Sequence, residues 1–159
     1  MTNSSSKIIA IDTFSGSPEY PNNINFNKIE QTFYKNIKKT KRDKQVIVMK
    51  MTSEKALIQL NYSNKIKFDI IFIDASHEAR DVLSDNILAW KLLNENGILI
   101  NDDYEWNKLN KEYFRPKLAI NSFMMSFYPE INLLYKGYQV ILSKKPKKLQ
   151  EKPKKILNK

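Results

Sequence analysis

Acidic, hydroxyl and imidazole side chains follow each of four apolar runs in the sequence. Ligands of open α/β sheets bind beyond the carboxyl ends of the parallel strands. If the runs are parallel strands, these groups therefore meet at one edge of a sheet, where they can bind hydroxyl groups or cations and transfer protons. The candidate site residues are Asp12, Ser53, Asp74, His77, Asp102 and Asp103.

Three of these residues, Asp74, Asp102 and Asp103, are carboxylates that we expect at the ends of adjacent strands. Converging carboxylates repel one another unless they are protonated, hydrogen-bonded or bridged by a cation. Their hard oxygens suit Mg²⁺, Mn²⁺ or Ca²⁺ rather than zinc. In the competing interpretation, Asp102 or Asp103 caps the next segment while Asp74 accepts backbone hydrogen bonds. Spacing alone leaves both interpretations open.

His77 is the only histidine of the chain and follows Asp74 by three residues. An imidazole with an unperturbed pKa of about 6.5 can take a proton from a substrate hydroxyl as a general base. Alternatively, the residue is a histidine at a helix start that hydrogen-bonds only to the backbone. Its place at the predicted ligand-binding edge keeps both interpretations open.

Asp12 ends the first apolar run, where an acid can accept hydrogen bonds from the two hydroxyls of a ribose. The alternative is an aspartate that forms the turn before Gly16. Tyr104 and Trp106 either border a substrate pocket or cover the end of the sheet. Helical spacing predicts that Trp90, Phe123 and Phe127 pack in the core.

Strands and helices alternate along the chain, which predicts an α/β fold with a mostly parallel sheet and a C-terminal antiparallel hairpin strand. The Asn96-Gly97 pair is expected to end a helix, and Lys136-Gly137 to turn the hairpin. The predicted strands are 7–11, 46–49, 68–73, 98–100, 131–135 and 138–143, and the predicted helices are 25–39, a short one around 56–60, 79–94 and 116–128.

The composition indicates a globular protein of one domain, with 159 residues, 42% hydrophobic and 28% charged. No apolar run approaches the roughly 20 residues of a membrane-spanning helix, so we expect no membrane partner. The absence of cysteine excludes disulfides and thiolate metal sites, and a cytoplasmic location is the default expectation.

The net charge of +10 comes mainly from the C-terminal end of the chain. Residues 144–159 contain eight lysines and one glutamate, a charge of +7, which leaves only +3 for the rest. We therefore expect no nucleic-acid partner for the folded body, and the alternative is that the lysine-rich tail binds nucleic acid or another anionic surface. The predicted organisation is a disordered N-terminus at 1–6, one domain at 7–143 and a disordered lysine-rich tail at 144–159.

Taken together, these segments resemble class I S-adenosylmethionine-dependent methyltransferases, in particular a small group with IDxSH and DDYEW motifs that is related to the macrocin-type O-methyltransferases. The resemblance extends over nearly everything from Lys7 to Lys145. It is carried by IIAIDTFSGSPEY at 8–20, FDIIFIDASHEARDVLSDNILAWKLL at 68–93, NGILINDDYEW at 96–106, RPKLAINSF at 115–123 and KGYQVILSKK at 136–145.

The resemblance implies a Rossmann-like methyltransferase sheet and a role for each candidate residue. Asp12 matches the acid that holds the ribose of S-adenosylmethionine, Ser53 a residue near the adenine, and Asp74 a residue at the cofactor. Asp74, Asp102 and Asp103 match the ligands of a divalent cation such as Mg²⁺, and His77 matches a candidate base. The implied reaction is metal-assisted methyl transfer to the oxygen of a small hydroxylated substrate, such as a sugar.

The chain departs from this family at its beginning. The family's first strand and glycine-rich cofactor loop should precede Ile8, where only seven residues stand, and Gly16, Gly97 and Gly137 are too far apart for a GxG turn. We therefore expect an N-terminally truncated member. The strands that end at Asp12 and Asp74 would then pair directly, leave a gap between them, or receive the missing strand from another chain. That other chain would be a second copy of this protein or a complementary chain.

Overall fold

The computed structural model of the chain describes residues 6–17, 20–21, 23–108 and 111–150. The predicted disorder at 1–5 and 151–159 and part of the loop around Pro18 and Asn22 lie outside the described residues. The chain forms two compact units, one up to Ala56 and one from Leu57 onward, and each is described by itself. The single domain predicted for 7–143 therefore stays a prediction.

The first unit contains a two-stranded parallel sheet and one helix. Strand β1 (Ile8–Ile11) pairs with β2 (Val46–Met49), with Ile8 opposite Val46. Helix α1 (Phe26–Lys39) begins where the side chain of Asn25 accepts a hydrogen bond from the backbone N–H of Lys28 at 3.0 Å. Phe26, Phe33 and Ile37 recur at helical spacing and are only partly buried, so α1 contributes no fully buried residue.

The helix α2 (Ser53–Ser63) follows β2, and Thr52 precedes its first turn. The unit boundary lies inside this helix. In the second unit, the amide of Asn61 donates to the carbonyl of Leu88 at 3.0 Å, which ties the end of α2 to the next helix.

The second unit is built on a four-stranded sheet of order β3-β4-β6-β5. β3 and β4 are parallel, whereas β6 runs antiparallel to both of its neighbours. The α/β class and the closing hairpin are therefore as predicted. The elements are β3 (Phe68–Ile73), α3 (Ala79–Leu92), β4 (Leu93–Asn101), α4 (Pro116–Ser126), β5 (Ile131–Lys136) and β6 (Val140–Lys144).

Several predicted boundaries differ from the structure. α3 ends at Leu92 and β4 begins at once, so Asn96-Gly97 lies inside the strand, where Asn96 has a φ of +62°. The pairing register of β3 and β4 shifts at this point, because Phe68 is opposite Leu93 whereas Ile70 is opposite Ile98. The extra residues of β4 form a bulge between the two paired stretches. At the other end, Lys144 still belongs to β6 rather than to the tail.

The core of the second unit lies between one face of the sheet and the helices α3 and α4. Leu99 and Leu142, which face each other on β4 and β6, are fully buried in it. Trp90 and Phe123 pack edge to face with ring centroids 5.4 Å apart, and Phe127 adds a partly buried ring, as predicted.

Two polar features are also built into this core. Asn86 on α3 donates to the side chain of Asn101 at the end of β4 at 2.7 Å, and both residues are fully buried. Lys144 donates to the carbonyl oxygens of Trp90 and Leu93 at the end of α3, at 2.6 and 3.2 Å. Burial lowers the pKa of Lys144, with a smaller opposing effect from Glu130.

The opposite face of this sheet is apolar and more open. Ile70 is opposite Ile98 and Phe72 is opposite Ile100, so all four side chains share that face. Ile70 and Phe72 remain 62% and 51% exposed. Among the described residues, β3 is also an edge strand of the four-stranded sheet. In the two-stranded sheet, β1 and β2 are both edge strands. None of the helices among the described residues has the length and apolar character needed to cross a bilayer.

Candidate active site

The parallel pair β3–β4 brings two of the predicted carboxylates side by side. Ile73 is opposite Asn101 at the end of the ladder, and the backbone N–H of Asp102 donates to the carbonyl of Ile73 at 2.9 Å. The next residue after each strand is therefore an aspartate, Asp74 on one side and Asp102 on the other. This is the arrangement expected at the carboxyl ends of parallel strands.

Asp103 is turned toward the histidine by a left-handed backbone. Its φ is +56°, a region that aspartate tolerates better than most residues, and its N–H donates to the side chain of Asp102 at 2.9 Å. The following turn closes when the N–H of Trp106 donates to the carbonyl of Asp103 at 2.9 Å. As a result, Asp103 Oδ2 lies 2.9 Å from His77 Nε2.

His77 is held by a ring stack as well as by this contact. Its imidazole lies against the indole of Trp106, with centroids 4.1 Å apart and planes within 4°. The side chain of His77 is 14% exposed and that of Asp103 is 23% exposed, so the pair is sheltered yet reachable by solvent. The other oxygen of Asp103 accepts a hydrogen bond from the hydroxyl of Tyr138 at 2.7 Å.

The second hairpin strand positions Tyr138. The hairpin turns at Gly137, and the carbonyl of Tyr138 accepts a hydrogen bond from the N–H of Tyr104 at 2.8 Å. This backbone contact fixes the start of β6 beside the segment that carries Asp103. The side chains of Tyr104 and Trp106 are both buried, so they cover the end of the sheet.

The acids at this edge of the sheet influence one another electrostatically. Partial burial raises the pKa of Asp74 above its usual value, repulsion from Asp102 and Asp103 adds to the rise, and His77 opposes it. The hydrogen bond to Asp103 is the largest cause of a raised pKa at Tyr138. Tyr138 therefore keeps its proton at neutral pH and acts as a donor to Asp103.

Hydrogen bonds already engage two of the acids that the family resemblance assigns to a cation. Both oxygens of Asp103 are engaged, by His77 and by Tyr138, and one oxygen of Asp102 accepts a backbone N–H. Across the described ranges, no three acidic, histidine or cysteine side chains meet as a metal ion would require. The predicted metal role of Asp74, Asp102 and Asp103 stays a prediction, and we derive no chemical step through a cation.

The two remaining predicted residues belong to the first unit. Asp12 follows β1, and its Oδ1 accepts the N–H of Phe14 at 2.7 Å, so it forms the turn that the alternative interpretation predicts. Its side chain is exposed all the same. Ser53 is the first residue of α2 and is partly buried. The ribose and adenine roles of these residues stay predictions.

Tyr138 is the site residue that sequence reasoning missed. It lies 35 positions after Asp103, and nothing local marks a tyrosine after a hairpin turn as a partner of an acid. The available signal was the hairpin itself, because a strand paired with β4 returns its first residues to the end where Asp102 and Asp103 stand.

Two surface depressions, of about 630 and 560 Å³, lie along α1 in the first unit. One is lined by Tyr34 and three lysines, and the other by Ile29, Phe33 and polar neighbours. Neither contains a predicted site residue, so the chemistry of the side chains, and not cavity shape, identifies the candidate site.

The solved structures similar to this chain include several O-methyltransferases. An O-methyltransferase from Bacillus cereus in complex with SAH is 18% identical, with a TM-score of 0.59 over 89% of this chain and 75% of that one. CalS11, a TDP-rhamnose 3′-O-methyltransferase of calicheamicin biosynthesis, is 12% identical with a TM-score of 0.59, over 89% and 60%. MycE of mycinamycin biosynthesis, solved with Mg, SAH and mycinamycin VI, is 13% identical with a TM-score of 0.56, over 97% and 48%.

At these identities the likeness shows the fold, and the chain spans only 60% of CalS11 and 48% of MycE. No curated protein matches the chain at a significant level. The sequence model of the methyltransferase domain family matches residues 1–104, which is more than half of the chain. The protein therefore belongs to the methyltransferase domain family.

Proposed function

We propose that the chain is an S-adenosylmethionine-dependent O-methyltransferase of a small hydroxylated substrate, such as a sugar, and that His77 is its general base. The observation that carries this proposal is the contact between His77 and Asp103 at the carboxyl ends of β3 and β4, with Asp74 beside them. Family membership and the fold shared with O-methyltransferases support it.

The reaction is a displacement at the methyl carbon. S-adenosylmethionine supplies a sulfonium methyl group when it is bound. When the cofactor is bound, the substrate oxygen would take its methyl group as the sulfur leaves, and His77 would take the hydroxyl proton. The negative charge of Asp103 stabilises the imidazolium that results, and the stacked Trp106 holds the ring in place.

The residues present fit part of the cofactor. Asp12 is exposed and keeps a second carboxylate oxygen beside the one that accepts the N–H of Phe14, which suits a ribose hydroxyl. Glycines that would let the backbone approach the amino-acid part are absent around it, because Gly16 is the only glycine before Gly97. We therefore place the ribose at Asp12 and the adenine near Ser53, and assign no residue to the amino-acid part.

Calorimetric titration of the chain with S-adenosylmethionine, with and without Mg²⁺, tests this proposal. We expect the chain to bind the cofactor with a dissociation constant in the millimolar range or lower. Asp12→Asn should weaken this binding, because the amide keeps an oxygen for the N–H of Phe14 but loses the negative charge. Asp43→Asn, an exposed acid of the same unit, serves as the matched control. No heat at millimolar cofactor would end the enzyme proposal for this chain alone.

Methyl transfer to a panel of small hydroxylated molecules tests the base. We expect His77→Gln to lower the rate by about 10²–10⁴-fold, the usual contribution of a general base. Mg²⁺ belongs to the same assay, because the family resemblance assigns a divalent cation to Asp74, Asp102 and Asp103. A rate that is unchanged in His77→Gln contradicts the assignment of the base. We propose a cytoplasmic location for the reaction.

A second proposal is that the chain is a non-catalytic methyltransferase remnant, or a subunit that needs a complementary strand from another chain. The supporting observations are the edge position of β3 and the exposure of Ile70 and Phe72 on its open face. An unpaired edge of this kind accepts a further strand through main-chain hydrogen bonds. Light scattering at several concentrations tests the idea, and a stable monomer that binds the cofactor contradicts it.

A further inference from the structure

Asp103 has two hydrogen-bond partners of different kinds. His77 Nε2 is 2.9 Å from one of its oxygens, and the Tyr138 hydroxyl is 2.7 Å from the other. A carboxylate with two such partners cannot turn about its Cβ–Cγ bond without losing one or both of them. Hydrogen bonds to an ionised acceptor are about twice as strong as neutral ones, so this orientation is well determined.

The orientation of Asp103 determines the protonation pattern of a neutral His77. A neutral imidazole has one N–H donor and one acceptor nitrogen. Because a carboxylate accepts and does not donate, the nitrogen beside Asp103, Nε2, carries the hydrogen. The stack on Trp106, with planes within 4°, fixes the plane in which both nitrogens lie.

We propose that Tyr138 is a positioning residue, which acts through Asp103 to hold His77 with its Nε2–H toward the carboxylate, and that Asp103 performs this role instead of binding a cation. The catalytic part rests on the proposed methyl transfer. The hydrogen-bonded array of Tyr138, Asp103 and His77 does not depend on it. Tyr138 contacts neither cofactor nor substrate in this scheme.

The array can be observed directly because His77 is the only histidine of the chain. In nitrogen-15-labelled protein, the ring gives a single set of imidazole signals. In buffer that contains EDTA, we expect an Nε2–H proton protected from exchange with water and carbon-bound ring protons shifted upfield by the indole of Trp106. Tyr138→Phe should remove the protection, since Asp103 then gains rotational freedom, while the upfield shift from Trp106 persists.

Tyr135→Phe is the matched control. It makes the same chemical change on the same hairpin, at a residue that is 55% exposed and outside the site. We expect it to leave the His77 signals unchanged. A protected Nε2–H that survives in Tyr138→Phe overturns the positioning role. Loss of the signal in both variants also overturns it, because the effect would then come from the hairpin as a whole.

Titration with Mg²⁺ distinguishes the array from a metal site. We expect the His77 signals of the wild type to be unchanged by millimolar Mg²⁺. A saturable change that disappears in Asp103→Asn would show that Asp103 binds the cation and would overturn the inference.

If methyl transfer is found, Tyr138→Phe should lower kcat by about 10-fold, the usual effect of losing an outer hydrogen-bond partner, with KM little changed. An unchanged kcat overturns the catalytic part of the inference. If no acceptor is methylated although the imidazole signals behave as expected, the proposed function fails. The inference that Tyr138 positions Asp103 and His77 would still hold.

Discussion

The two compact units of this chain differ in how well their helices are buried. In the second unit, α3 and α4 cover one face of a four-stranded sheet and contribute fully buried rings such as Trp90 and Phe123. Among the described residues of the first unit only Phe14 and Ala56 are buried, and α1 adds none. Two strands and one helix form a marginal core, so the second unit should hold most of the stability.

Substitution of a core ring should give the largest difference between the units. Phe123→Ala removes a fully buried ring that packs on Trp90 and Phe127, and we expect a loss of about 3–5 kcal/mol in the free energy of unfolding. Phe33→Ala, in the first unit, removes a ring 5.3 Å from that of Phe14 and should cost about 1 kcal/mol. Urea denaturation followed by circular dichroism measures both, and equal losses would refute the comparison.

The loop after β1 should show the next largest effect, confined to the first unit. Gly16 has a φ of +71°, and a Cβ there would overlap the ring of Phe26. We expect Gly16→Ala to cost about 2 kcal/mol, from backbone strain and the displaced ring together. Amide hydrogen exchange should become faster in β1 and α1 but not in β4. Ser15→Ala, at the exposed neighbour, is the control, and a uniform change across both units would contradict the prediction.

Lys144 tests a polar contact in the more stable unit. Lys144→Met keeps most of the apolar stem but removes the ammonium that donates to the carbonyls of Trp90 and Leu93 at the end of α3. We expect a loss of about 1 kcal/mol, since relief of the buried charge offsets part of the lost hydrogen bonding. Lys148→Met, on the exposed turn nearby, should change nothing measurable in thermal unfolding. If both variants behave alike, Lys144 does not stabilise the end of the helix.

The acid cluster should give the smallest effect, and one of opposite sign. Because the pKa of Asp74 is raised in the folded state, its contribution to stability is fully present only below its ordinary value of 3.8 and is lost as pH rises through the folded pKa. Asp74→Asn should therefore stabilise the protein at pH 7 by a few tenths of a kcal/mol, after screening by solvent, and not at pH 3.

Thermal unfolding in EDTA at both pH values measures this difference. Asp69→Asn, on the same strand but hydrogen-bonded to Asn94 outside the cluster, is the control. A destabilising effect of Asp74→Asn at pH 7 would show that the carboxylate makes a favourable contact that outweighs the repulsion.

Sequence patterns predicted the elements well where burial and periodicity agree. The continuous apolar run at 68–73 became β3 with the predicted bounds, and Pro116 is the first residue of α4, as predicted. The Asn96-Gly97 pair was misplaced because it forms a turn inside a strand instead of between a helix and a strand. A turn signal gives the local backbone shape but not the pairing on either side of it.

The candidate site was predictable only as far as strand ends determine it. Asp74 and Asp102 follow paired strands, so their closeness follows from the order of the sheet. The contact between His77 and Asp103 depends on a left-handed φ at Asp103, and that of Tyr138 on the hairpin register. Spacing does not encode either feature, which is why the sequence left the role of the acids open.

The buried pair of Asn86 and Asn101 has a consequence for strand alignment. A shift of β4 by one residue would turn Leu99 away from the helices and move Asn101 out of reach of the amide on α3. The misaligned chain would lose this bond, at a cost of about 0.5–1.5 kcal/mol, while the amide of Asn86 would keep its bond to the carbonyl of Val82. The hydrogen bond between Asn86 and Asn101 thus selects the one alignment in which Asp102 and Asp103 emerge just past the sheet.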